Sequence, residues 1–235
     1  VKDEVMTQIH APRVRRRAAP DLEAGDKMSR AEFHRIYKNM PTDFKAELIG
    51  GIVYVASPLK YGHGKAHISL GTVLGTYEAN TPGVDIGDNV TVFLGDDSEP
   101  QPDLFLRILP EYGGQSRTNR DDYIEGPPEL IVEVANSSRA VDLHAKRADY
   151  ARYGVLEYLV VSIKDDHVHW FDLRSNKPLK ADSHGIIRAK TFPGLWLDTR
   201  SVLTRNLKKM LQVLNEGIAS PEHAEFVKSL GARRK

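Results

Sequence analysis

Residues 129–135, Glu-Leu-Ile-Val-Glu-Val-Ala, place Glu133 in the middle of an apolar, β-branched run. Such a run reads as a strand covered on both faces, the setting of a strand deep in a central sheet. An ionised carboxylate there is prohibitively costly unless a base, a metal or several hydrogen-bond donors meet it. A fold that buries this strand must therefore bring a polar constellation to Glu133 from elsewhere in the chain.

Two sources lie close in sequence. Upstream, Pro100-Gln101-Pro102-Asp103 runs into Leu104-Phe105-Leu106, so Asp103 opens a second apolar strand behind a proline, a residue confined to strand starts and edges. Downstream, Ser137-Ser138 offer N-cap hydroxyls for a helix over about 139–154, with Gly154 as its stop. On that helix Asp142, Lys146 and Tyr150 recur every four residues and share a face. Two acids from neighbouring strands can hold a divalent cation through hard oxygen ligands, and a lysine beside them can orient or help to deprotonate a water next to a phosphate. A plainer reading stays open: Asp103 caps a strand, and Glu133 is a structural acid paired with Lys146. Asp142 then tethers the lysine, and Tyr150 packs against the sheet with its hydroxyl at the edge.

Residues 1–27 are charged and proline-containing, with Arg13-Val14-Arg15-Arg16-Arg17 as their one concentrated feature, and read as a flexible basic arm able to contact phosphates. Ser29-Arg30-Ala31-Glu32 is a capping box that starts a short helix before Pro41. Gly50-Gly51 between two β-branched runs signals a hairpin. A helix is expected over 64–80, strands over 84–87, 89–94 and 103–108, and a long loop with little regular structure over 109–128. A hairpin over 157–173, a strand near 186–191, a turn at Phe192-Pro193-Gly194-Leu195-Trp196, one helix over 199–215 and a last helix from Pro221 complete the expectation.

His63 and His67 stand one helical turn apart, but Gly64-Lys65-Ala66 between them lacks the glutamate of a zinc protease motif. Near the acids, either histidine could touch a phosphate. A chain of 235 residues is long enough for one sizeable core. With 33 basic and 32 acidic side chains there is no global field for nucleic acid, so any such contact needs a local basic patch. The absence of cysteine excludes disulfides and thiolate zinc sites and suits a reducing cytoplasm. No apolar run approaches the ~20 residues of a membrane span.

The order Pro-Asp, buried strand glutamate, then lysine resembles the PD-(D/E)XK nuclease superfamily, with one departure. The usual Glu-x-Lys spacing would put lysine at position 135, where this chain has Ala135. Glu47-Leu48-Ile49-x-Gly51, Ser57-Pro58 with a later histidine, and Gly154-Val155-x-Glu157-Tyr158 resemble the Uma family of restriction endonuclease-like proteins over about residues 28–175, in which a helix supplies the lysine. The resemblance implies an α/β fold with a restriction endonuclease-like core, a mixed central β-sheet flanked by helices, and an added N-terminal hairpin. It implies a nuclease domain over 28–200 with a C-terminal helical extension over 201–235. It implies metal-dependent hydrolysis of DNA, with RNA as a further substrate class and a homodimer as the assembly. Asp103, Glu133, Glu47 and the Val134 carbonyl would hold Mg²⁺ or Mn²⁺, and Lys146 would position the attacking water. The alternative within the same fold is a catalytically inactive scaffold.

Overall fold

The computed structural model describes residues 21–135 and 139–234. Its strands are β1 (Ala46–Ile49), β2 (Ile52–Val55), β3 (Val84–Asp88), β4 (Val92–Phe93), β5 (Leu104–Ile108), β6 (Arg117–Thr118), β7 (Ile124–Glu125), β8 (Leu130–Ala135), β9 (Glu157–Ser162), β10 (His167–Asp172), β11 (Lys177–Pro178), β12 (Ile186–Arg188) and β13 (Trp196–Asp198). The helices are α1 (Arg30–Tyr37), α2 (Tyr61–Ala79), α3 (Arg147–Tyr153), α4 (Thr199–Thr204), α5 (Leu207–Ile218) and α6 (Pro221–Arg233). A wide π-helical turn, Val141–Lys146, leads into α3.

The central sheet has the order β11-β10-β9-β8-β5-β3. Strands β8 and β9 pair in parallel across the α3 crossover, and the remaining neighbours are antiparallel, so the sheet is mixed as expected. Every residue of β8 and β9 is buried, which is what their continuous apolar runs require. The pleat sends Leu130, Val132 and Val134 to a core shared with α2 and the C-terminal helices. Ile131 and Ala135 face a second core with Tyr150 and Tyr158, and Glu133 lies on that same side by alternation. A third cluster joins α1 to the β1–β2 hairpin through Phe33, Ile36, Leu48 and Val53.

The local signals act as written in the sequence. Ser29 Oγ accepts from the Glu32 N–H at the start of α1. Gly50 and Gly51 both take positive φ, 57° and 76°, the conformation that a two-residue hairpin turn demands. Gly154 closes α3 in the left-handed region at φ 89°.

Four expectations change. The helix expected over 199–215 is two helices broken at Arg205, which sits at φ 55°. The strand expected over 89–94 shortens to β4, which joins β6 and β7 in a small sheet, so the 109–128 loop is partly ordered into strands. The segment after Phe192 includes β13, paired with β12. Of the residues read as an arm, 21–27 lie against the hairpin: Leu22 is buried, and the Gly25 N–H donates to the Val53 carbonyl. The basic run Arg13 to Arg17 and the caps Ser137 and Ser138 lie outside the described residues. Among the described residues, no helix is long and apolar enough to cross a membrane.

Candidate active site

The site forms at the end of the sheet where β5 begins and β8 finishes. Pairing between them stops at Leu104↔Val132; continued, the register would set Pro102 opposite Val134. Proline has no N–H to offer, so the polar groups of Val134 on that side need other partners. Asp103 Oδ2 accepts the Val134 N–H at 2.7 Å. The Val134 carbonyl accepts from His63 Nδ1 at 2.9 Å, bringing in the first turn of α2. His63 Nε2 then lies 3.2 Å from Asp103 Oδ1, without the alignment of a hydrogen bond. His67 Nε2 donates to the Asp103 carbonyl at 3.1 Å and sits 3.3 Å from Asp88 Oδ1.

On the other side of β8, Lys146 reaches back from the wide turn. Its Nζ is 2.9 Å from Glu133 Oε1, 2.7 Å from Glu47 Oε2 and 3.8 Å from Asp142 Oδ1. Tyr150 donates its hydroxyl to Glu133 Oε1 at 3.0 Å. Glu47 arrives on β1 and is fixed by the Gln101 N–H, which donates to its Oε1 at 2.7 Å. The Asp103 N–H points to Glu133 Oε2 at 3.5 Å, so the two strand acids are neighbours across the β5–β8 boundary.

Lys146 thus meets Glu133 from the helix side of β8. Ala135 itself is fully buried in the second core. Glu47, Asp103, Glu133, Asp142, Lys146 and His63 all line one cleft of about 610 Å³, with Lys45, Tyr54 and Lys60 also on its walls.

Charge crowding sets the protonation states. Burial raises the Glu133 pKa well above the carboxylate range; Lys146 opposes this, while Asp103, Asp142 and Glu47 add to it. Burial works against the Lys146 ammonium, but Glu133, Glu47 and Asp142 outweigh it and hold its pKa well above the ordinary value. One cation among three carboxylates stays charged, and the crowding is relieved at Glu133, the carboxyl most drawn to hold a proton. For Asp103, burial pushes the pKa up, but His63 and the Val134 N–H hold it below the usual range. His63 is raised chiefly by Asp103, against the effect of burial.

The sequence-derived set thus divides in two. Glu47, Glu133 and Asp142 gather around Lys146, and Asp103 turns to His63. Among the described residues, the cluster whose potential ligand atoms all lie within 4.8 Å of one another is His63, His67 and Asp103. The sequence left the roles of both histidines open, with phosphate contact as one use near the acids. The signal that could have placed His63 is Pro102, whose missing N–H leaves a strand carbonyl unpaired. The hydroxyl of Tyr150, read as packing, ends on Glu133.

A model of the Uma2 family, described as "Putative restriction endonuclease", matches residues 30–200. Among solved structures, the fold is similar to a protein from Anabaena variabilis described as "a putative nuclease belonging to DUF820". The TM-score is 0.57 at 12% sequence identity, covering 72% of this chain and 96% of that one, a likeness of fold. No curated protein matches the chain.

Proposed function

Because the chain belongs to the Uma2 family, we propose that it is a nuclease that hydrolyses phosphodiester bonds in DNA with a divalent cation, Mg²⁺ or Mn²⁺. The observation that carries this reading is the convergence of Lys146 on Glu133 and Glu47 in the cleft that Asp103 also lines. The donor set fits a hard cation. Carboxylates from Asp103, Glu133 and Glu47 supply oxygen, and the crowding that raises Glu133 is relieved by positive charge. When bound, the cation polarises the phosphate and lowers the pKa of water.

The chain's own residues supply the rest. Lys146, kept protonated by its acids, donates to a phosphate oxygen and stabilises the charge that develops in the transition state. Glu47 and Asp142 keep the ammonium in place, and Tyr150 orients Glu133 from behind. Lys45 and Lys60 on the cleft walls meet neighbouring phosphates.

The test is cleavage of single-stranded DNA, duplex DNA and RNA by the wild type, Asp103→Asn, Glu133→Gln and Lys146→Ala, with and without chelator. The two amides keep shape and remove charge. The expected result is DNA cleavage that needs Mg²⁺ or Mn²⁺ and falls by about 100-fold or more in each folded variant. Equal cleavage by wild type and acid variants would contradict the assignment, and cleavage of RNA alone would move the substrate class. No cleavage with any metal would favour the inactive scaffold.

A further inference from the structure

Phosphodiester hydrolysis by Lys146 and the acids gives His63 no task, although it is buried against Asp103 and one of its nitrogens lacks an aligned partner. We propose that His63 Nε2 is a direct ligand of the cation held by Asp103, which makes the site selective for first-row transition ions such as Mn²⁺ over Mg²⁺. The inference rests on the metal-dependent reading and specifies the ion it takes.

Three geometric facts carry it. A carbonyl oxygen only accepts, so His63 Nδ1, 2.9 Å from the Val134 oxygen, holds a proton. Nε2, the nitrogen left to bind, faces Asp103 Oδ1 at 3.2 Å. A carboxylate oxygen and a ring nitrogen at this distance in a buried site draw positive charge into the gap between them, a place that a proton or a cation can fill. The spacing fits a shared ion, because neighbouring ligands of an octahedral ion with bonds of about 2.1 Å stand about 3 Å apart. A ligating histidine also characteristically anchors its second ring nitrogen on a carbonyl or carboxylate, as His63 does on Val134.

His67 braces this arrangement: its Nε2 is engaged by the Asp103 carbonyl and Asp88. Magnesium prefers an all-oxygen shell and keeps its waters, whereas imidazole suits first-row transition ions.

The experiment is pulsed EPR of Mn²⁺ bound to the full chain, with ordinary and ¹⁵N-labelled histidine, for wild type and His63→Gln. Mn²⁺ and Mg²⁺ affinities are measured by calorimetry on the same samples. The wild-type spectrum is expected to show nitrogen modulation that follows the isotope and disappears in His63→Gln. Mn²⁺ affinity should drop by about tenfold or more in the variant, with a smaller change for Mg²⁺. The wild-type spectrum decides the matter by itself should the variant fold poorly. Bound Mn²⁺ without nitrogen modulation overturns the ligand assignment and leaves the nuclease reading standing. Modulation that survives in folded His63→Gln does the same, pointing to His67. Absence of any bound cation overturns both.

Discussion

Lys146 is held by more negative charge than it can neutralise, and this makes it the residue whose loss is felt most. Removing it leaves Glu47, Glu133 and Asp142 crowded without their shared ammonium. Breaking a buried ion pair from one side costs about 3–5 kcal/mol, because the stranded charge remains in a poorly solvating environment. Lys146→Met, which keeps the stem and removes the charge, is therefore expected to lose stability of about that size in urea unfolding. Glu133→Gln added to Lys146→Met should recover part of the loss, giving a clear coupling in the double-mutant cycle. Additive losses in the two variants would show that the pair does not act as a unit. These charges were legible in the sequence because each stands in an apolar or helical pattern that makes a charge anomalous. His63 was not legible as their companion, since its place depends on the β5–β8 register and on α2 packing across the sheet.

At the scale of elements, the first turn of α6 docks on the end of α2 through one histidine. His223 Nε2 lies 2.9 Å from Thr81 Oγ1, and the Thr81 hydroxyl donates to the Tyr77 carbonyl, so the ring nitrogen is the donor. Burial lowers the His223 pKa below its ordinary 6.5. The unfolded chain therefore takes up this proton more readily than the folded one, and stability is lost as pH falls from about 6.5 through the folded value. Thermal melts from pH 7.5 to 5 should fall with acid, and His223→Gln should flatten that slope; an unchanged slope would remove His223 as its source. The α1 cap and the Gly50-Gly51 hairpin were readable because short-range chemistry decides them. The break at Arg205 was missed although Asn206, whose side chain accepts from the Lys209 N–H, is an N-cap within what was read as one helix. The wide turn before α3 carries no local signature of its own.

For the whole molecule, a net charge of +1 means that any grip on nucleic acid comes from local groups. Lys45 and Lys60 on the cleft walls are the candidates. Replacing either by Gln should weaken duplex binding equally for unrelated sequences, and should reduce the slope of log K against log salt by about 0.9 for each phosphate no longer neutralised. An unchanged slope would place the binding surface elsewhere. The mixed sheet was legible as a class because β8 and β9 are buried, largely apolar runs and the helix between them has crossover length. The small β4-β7-β6 sheet was not, since two-residue strands leave no periodic trace. The central claim is that Asp103, just before β5, and Glu133 of β8 hold a divalent cation in this cleft. Its most direct measurement is the anomalous difference map of a crystal soaked in Mn²⁺: the account predicts a peak bound by the Asp103 and Glu133 carboxylates. A saturated crystal whose Mn²⁺ peaks lie away from both acids would contradict it.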